Sequence, residues 1–237
     1  MRYAQLLQQN RFSVITSLPR NELKLAEAAL KGGAAAIKVH CNVYHRASGQ
    51  VFGSYSENRG FLKSLIALCG PVPVGLMPGG PDGYIPVQER LELEEMGLAF
   101  FTGYAHQMPC QMMDSTRLDK MVAIGPGYTQ NTLDAVRASD IDALECSIQP
   151  GEAYGTPLCV EALLRYSDIA TKTAKPCVVT TQRAIIPQEV HHLAKAGCKG
   201  IMIGAVVMGP QQDAAAVEQA TRAFCTAAKE LAVTKRM

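Results

Sequence analysis

A lysine and a glutamate, each set in an otherwise apolar stretch of strand-like sequence, are the residues of this chain best suited to acid–base chemistry. In Ile37-Lys38-Val39-His40-Cys41, a period of two puts Ile37, Val39 and Cys41 on one face and Lys38 and His40 on the other. In Ala143-Leu144-Glu145-Cys146-Ser147, the same period sets Leu144 and Cys146 against Ala143, Glu145 and Ser147. An ion buried without a partner is costly. Lys38 and Glu145 are therefore expected either to neutralise each other as a structural ion pair or to flank a substrate from opposite sides. A desolvated lysine acts as a base or forms a Schiff base with a carbonyl, and a desolvated carboxylate is tuned as acid or base. Facing a phosphosugar carbonyl, the pair suits isomerisation, epimerisation or aldol cleavage. His40 and His106 complete the catalytic candidates; His106 closes the stretch Phe100 to His106 on the same alternation face as Thr102 and Tyr104. His45 and Arg46 stand in a loop that could close over a phosphate or acid group, whereas His191-His192 fall on a helix and read as structural.

A second chemistry lies near the carboxyl end. Cys177-Val-Val-Thr-Thr-Gln-Arg183-Ala-Ile-Ile-Pro187 reads as a buried strand, a short loop and a Pro-initiated helix start, and Gly200-Ile-Met-Ile-Gly204-Ala205 as another strand and small-residue loop. In a parallel α/β barrel, two neighbouring loops of this kind aim backbone N–H groups at one spot, which suits a phosphate. Arg183, Ala184, Gly204 and Ala205 are the expected phosphate-binding positions, with the Arg183 side chain either gripping an anion or pairing with an acid on the rim.

The elements that must position these residues alternate along the whole chain. Strands are expected at 11–17, 35–41, 72–77, 98–104, 121–125, 143–148, from 177 and from 200. Helices are expected at 21–30 with Asn21 as N-cap, 60–68, 86–96, weakly at 110–118, then 129–138, 158–173, 188–197 and 211–233. Eight strand–helix units in 237 residues favour one closed (β/α)8 TIM barrel over an open sheet, with residues 1–237 as a single phosphate-binding domain. The irregular stretches 42–59, 78–85 and 149–157 each follow a strand, on the face where barrel active sites are built.

Composition narrows the partners. A net charge of +2 without a basic stripe argues against nucleic acid, and no apolar run approaches the roughly 20 residues of a membrane span. The eight cysteines are scattered without a CxxC pair, which reads as reduced, buried thiols in a cytoplasmic protein whose start lacks the apolar centre of a signal peptide. No carboxylate–histidine cluster has metal-ligand spacing.

At Thr180-Thr-Gln-Arg-Ala-Ile-Ile-Pro-Gln-Glu189 and Gly200-Ile-Met-Ile-Gly-Ala-Val206, and again at Leu23–Leu30 followed by Gly32-Gly33 and Ala36-Ile-Lys-Val39, the chain resembles the ribulose-phosphate-binding barrel superfamily. Within it the nearest resemblance is to N-acetylmannosamine-6-phosphate 2-epimerases. The resemblance implies a phosphate held between the loops at Arg183-Ala184-Ile185 and Gly204-Ala205-Val206. It stops at the chemistry, because those enzymes carry a catalytic lysine on strand three and a glutamate on strand seven. Here those strands read Val72-Pro-Val-Gly-Leu-Met77 and Cys177-Val-Val-Thr-Thr-Gln182.

The leading expectation is an isomerase, epimerase or aldolase-type lyase acting on a small phosphorylated sugar or keto acid, with no cofactor of its own. Two others stand beside it: an FMN-binding barrel oxidoreductase, and a non-catalytic phosphometabolite-binding protein. A homo-oligomer paired through exposed helix faces is the default assembly.

Overall fold

The eight strand-like segments close on themselves. In the computed structural model, which describes residues 2–231, they are β1 (Ser13–Ser17), β2 (Ala36–His40), β3 (Val74–Met77), β4 (Phe100–Tyr104), β5 (Asp119–Ile124), β6 (Ala143–Cys146), β7 (Cys177–Thr180) and β8 (Gly200–Ile203). All run parallel, each beside its neighbour in sequence, and β8 pairs back onto β1 through Ser13↔Gly200 and Ile15↔Met202. This is the (β/α)8 TIM barrel. The helices are α1 (Tyr3–Gln9), α2 (Leu23–Gly32), α3 (Tyr55–Cys69), α4 (Val87–Met96), α5 (Gln130–Ala138), α6 (Val160–Thr173), α7 (Val190–Lys195) and α8 (Ala214–Glu230). None of them is long and apolar enough to cross a membrane.

Alternation along the strands divides the core in two. Outward residues such as Ile37, Val39, Cys41, Leu144, Cys146 and Val179 pack under the helices. Inward residues Ile15, Ala36, Phe100, Met121, Ala143, Val178 and Met202 fill the lower barrel together with Tyr3, Leu6 and Leu7 of α1. The amino-terminal helix is thus a plug, with apolar residues at i, i+3 and i+4 turned inward. Tyr3 stacks on Phe100 with ring centroids 3.8 Å apart. Asp119 fixes the plug by accepting the Ala4 N–H at 2.9 Å and pairing with Arg2 at 2.5 Å. Gly75 makes room for this layer, since a methyl there would overlap the Phe100 ring.

Several boundaries differ from the sequence reading. Asn21 is not the cap of α2: that position falls on Glu22, without a side-chain cap, and Asn21 Nδ2 instead donates to the His40 carbonyl at 2.7 Å and to Asn58 at 2.8 Å. The stretch 42–59 is not one loop. It holds a hairpin, Val43–His45 against Gln50–Phe52, and the start of α3, where Ser54 and Glu57 form a capping box. A shorter hairpin, Gly79–Gly80 against Gly83–Tyr84, follows β3. Only a 3-10 turn, Cys110–Asp114, stands where a weak helix over 110–118 was expected, because Ser115 turns extended and its hydroxyl takes the N–H groups of Arg117 and Leu118. A 3-10 turn at Pro187–Glu189 likewise precedes α7. Asp213 caps α8 at the Ala216 N–H, and residues 232–233 of the expected closing helix lie outside the described residues.

Candidate active site

The plug fills the lower barrel, and the next inward layer is polar. Lys38 from β2 and Glu145 from β6 come from strands four apart in the ring, so they reach each other across its diameter. Lys38 Nζ stands 3.3 Å from Glu145 Oε2 and 3.5 Å from Oε1. Both groups are buried, Lys38 at 4% and Glu145 at 6% exposure, and both line the cavity above them. Thr102 donates to Oε2 at 2.6 Å and Ser147 to Oε1 at 3.0 Å. Burial alone would push the Glu145 carboxyl up. The Lys38 charge, with the Thr102 and Ser147 hydrogen bonds, outweighs it and holds the carboxyl below its ordinary range. At rest Glu145 is a carboxylate.

The cavity over this pair is open at the carboxyl ends of the strands and measures about 410 Å³, the size of a small-metabolite pocket. Its wall is built by the loops the sequence marked out. The hairpin after β2 gives Tyr44, His45 and Arg46; the loop after β6 gives Gln149, Gly151 and Tyr154; the turns after β7 and β8 give Thr181, Gln182, Gly204 and Ala205. His106 stands on the rim, 5.4 Å from the Tyr104 ring, and is exposed.

Lys38, Glu145, His106, Gly204 and Ala205 therefore meet around one space. His40 does not line it. It shares the inward face with Lys38, but the hairpin covers it completely, with its ring 4.5 Å from His45 and 4.7 Å from Phe52. Neither ring nitrogen has a partner. Burial, helped by the Lys38 charge and by repulsion from the His45 ring whenever that is protonated, drives its pKa well below the ordinary imidazole value. Half-buried His45 is pushed down to about 4 by partial burial and the Lys38 charge. Both imidazoles are neutral near pH 7.

The turns after β7 and β8 are adjacent, joined by the Gly204 N–H donating to Thr181 Oγ1 at 3.0 Å. The wall they offer differs from the one expected. Arg183 and Ala184 do not line the cavity, because the loop after β6 claims both. The Arg183 guanidinium donates to Gln149 Oε1 at 2.7 Å and to Thr156 Oγ1 at 2.8 Å, and the Ala184 N–H donates to the Thr156 carbonyl at 2.8 Å. Thr181 and Gln182 take their place on the wall beside Gly204 and Ala205, which opens a 3-10 turn. Gln149 and Tyr154 were missed as wall residues; the Gln149-Pro150-Gly151 run just past the sixth strand was the available signal.

No family model and no curated protein matches this chain. Solved structures do. The thiamine phosphate pyrophosphorylase of Pyrococcus furiosus is similar over 94% of this chain and 98% of its own, with TM-score 0.68 and 18% identity. Tryptophan synthase of Mycobacterium tuberculosis is similar over 96% and 98%, with TM-score 0.69 and 14% identity. A native KDPGal structure is similar over 97% and 98%, with TM-score 0.63 and 13% identity. At these identities the likeness is one of fold, the same barrel over nearly its whole length.

Proposed function

We propose that the chain is an enzyme acting on a small phosphorylated carbonyl compound, a phosphosugar or phosphorylated keto acid, by proton transfer at the carbon beside the carbonyl. Isomerisation, epimerisation and aldol-type cleavage all pass through the same enolate and share this step. The observation that carries the reading is the buried Lys38–Glu145 pair forming the floor of an open cavity. A purely structural pair is better replaced by apolar packing, and the layer directly beneath is apolar.

The pair's geometry supports a division of labour. A substrate carbonyl oxygen draws the Lys38 ammonium toward itself, and developing enolate charge is stabilised there. As Lys38 turns away, burial of Glu145 is no longer offset and the carboxylate gains basicity. Thr102 and Ser147 keep it aimed. The phosphate is assigned to the wall at Thr181, Gly204 and Ala205, where the turns after β7 and β8 meet. That a barrel of similar fold is a thiamine phosphate pyrophosphorylase agrees with a phosphorylated ligand.

Deuterium wash-in tests the reading. Phosphorylated ketoses and keto acids are incubated with the protein in D2O and followed by proton NMR. Loss of an α-proton signal with the native protein, abolished in Lys38→Met and Glu145→Gln, is the expected result. Ligand binding without exchange in any compound would make the chain a non-catalytic binder and overturn the proposal.

A further inference from the structure

The mouth of the cavity carries a charge that no partner among the described residues uses. Arg46 sits at the tip of the hairpin that follows β2, and its guanidinium crosses the mouth to Gly151 in the loop after β6. The loops after the two strands that supply the floor thus meet at the mouth. A methyl at position 151 would overlap Arg46 Nη1, so the glycine gives the guanidinium its seat. The tip is held firmly: the Gly49 N–H donates to the His45 carbonyl at 2.9 Å, and His45 Nδ1 and Ser48 Oγ share a hydrogen bond of 2.8 Å. Among the described residues the Arg46 side chain makes no hydrogen bond or ion pair. The charged side chains on the cavity wall are Lys38, Arg46 and Glu145. Once Lys38 and Glu145 offset each other, one positive charge is left over.

We infer that Arg46 binds a carboxylate on the substrate, next to the reacting carbonyl, so that the substrate is a phosphorylated α-keto acid and not a neutral-headed phosphosugar. This rests on the function proposed above and narrows it. On that reading the phosphate has its own wall at the β7 and β8 turns, and Arg46 reaches the same cavity as Lys38 and Glu145 from the other side of the mouth, beside Gly151. A substrate whose phosphate lies at that wall and whose carbonyl meets Lys38 leaves its remaining end, on the far side of the carbonyl, for Arg46. A planar guanidinium matches the two oxygens of a carboxylate in fork geometry. Neutralising it there also draws electron density toward the carboxylate end and fixes which face of the carbonyl meets Lys38.

Two stable probes of nearly equal size separate the charges: glycerol 3-phosphate, and 3-phosphoglycerate, which differs by a carboxylate in place of a hydroxymethyl group. Titration calorimetry at low salt is expected to give at least about tenfold tighter binding of 3-phosphoglycerate, equivalent to ~1.4 kcal/mol. In Arg46→Gln that preference collapses to about twofold or less while glycerol 3-phosphate binds as before. Gly151→Ala, which displaces the guanidinium and keeps its charge, lowers the preference, and Arg46→Lys restores part of it. Arg46 is exposed, so these variants fold. Equal binding of both probes to the native protein, or a preference that survives Arg46→Gln, overturns the inference and leaves the phosphate reading standing. If neither probe binds, the phosphate reading fails and this inference fails with it.

Discussion

Lys38→Met is the perturbation whose outcome follows most directly from the geometry. Methionine keeps the length of the side chain and removes the charge that offsets burial of Glu145. Deleting one partner of a buried pair costs about 3–5 kcal/mol. Lys38 is 4% exposed and Glu145 6%, so solvent screening does little to reduce that figure. The Thr102 and Ser147 hydrogen bonds stay on the carboxylate, which favours the lower end, about 3 kcal/mol. In a domain of this size 1 kcal/mol moves Tm by about 2–4 °C, so a fall of roughly 6–12 °C is expected at pH 7. The pH dependence is the sharper signature. In the native protein the folded Glu145 carboxyl titrates below its unfolded value of 4.5. Its contribution is present above that value and is lost as pH falls through the folded one. In Lys38→Met burial dominates and the folded value rises above the unfolded one, so the variant loses stability as pH increases from there. The gap between the two proteins should be small at pH 4 and widen toward pH 8. Guanidinium melts at pH 4, 6 and 8, run with Glu145→Gln and the double variant, read both the gap and the coupling. A gap of equal size at every pH, or a coupling energy below about 0.5 kcal/mol, would refute the ion-pair account.

Two further outcomes are expected. Tyr3→Ala should cost about 3–5 kcal/mol in a denaturant melt, because Tyr3 is fully buried against Phe100; a loss under about 1 kcal/mol would mean that α1 contributes little to the barrel base. His40→Phe removes two buried nitrogens that have no partner, so stability at pH 7 should hold or rise. Because the folded His40 value lies below the unfolded 6.5, its share of stability is lost as pH falls from 6.5 toward the folded value. The variant should therefore show a flatter stability profile than the native protein between pH 6.5 and about 4.5. A loss above about 1 kcal/mol at pH 7 would reveal a partner for the imidazole.

What was legible in the sequence followed local periodicity. Alternation in Ile37–Cys41 and Ala143–Ser147 placed Lys38 and Glu145 inside, because every strand of a closed barrel has one face toward the axis. The same rule placed His40 inside but could not say that the hairpin starting three residues on, at Val43, would cover it, since that depends on Phe52 and His45 folding back. Arg183 stands off the cavity wall for a related reason. Its side-chain direction is decided by Gln149 and Thr156, which belong to another loop and reach it only in the folded barrel. The N-terminal plug was missed although Tyr3, Leu6 and Leu7 have helical spacing; polar Gln8-Gln9-Asn10 beside them hid a short apolar stripe. The start of α3 was signposted by Ser54 and Glu57, three residues apart, ahead of Phe61, Leu62 and Leu65.

The floor of the cavity draws one ionic partner from the first four strands and the other from the last four, 107 positions apart. Neither half-barrel holds both groups. Cutting the backbone between β4 and β5 would leave Lys38 and Glu145 on separate fragments, and under the proposed function any turnover would return only when they reassociate in register. The floor of the cavity would then report reassembly, since the ion pair exists only when the ring has closed.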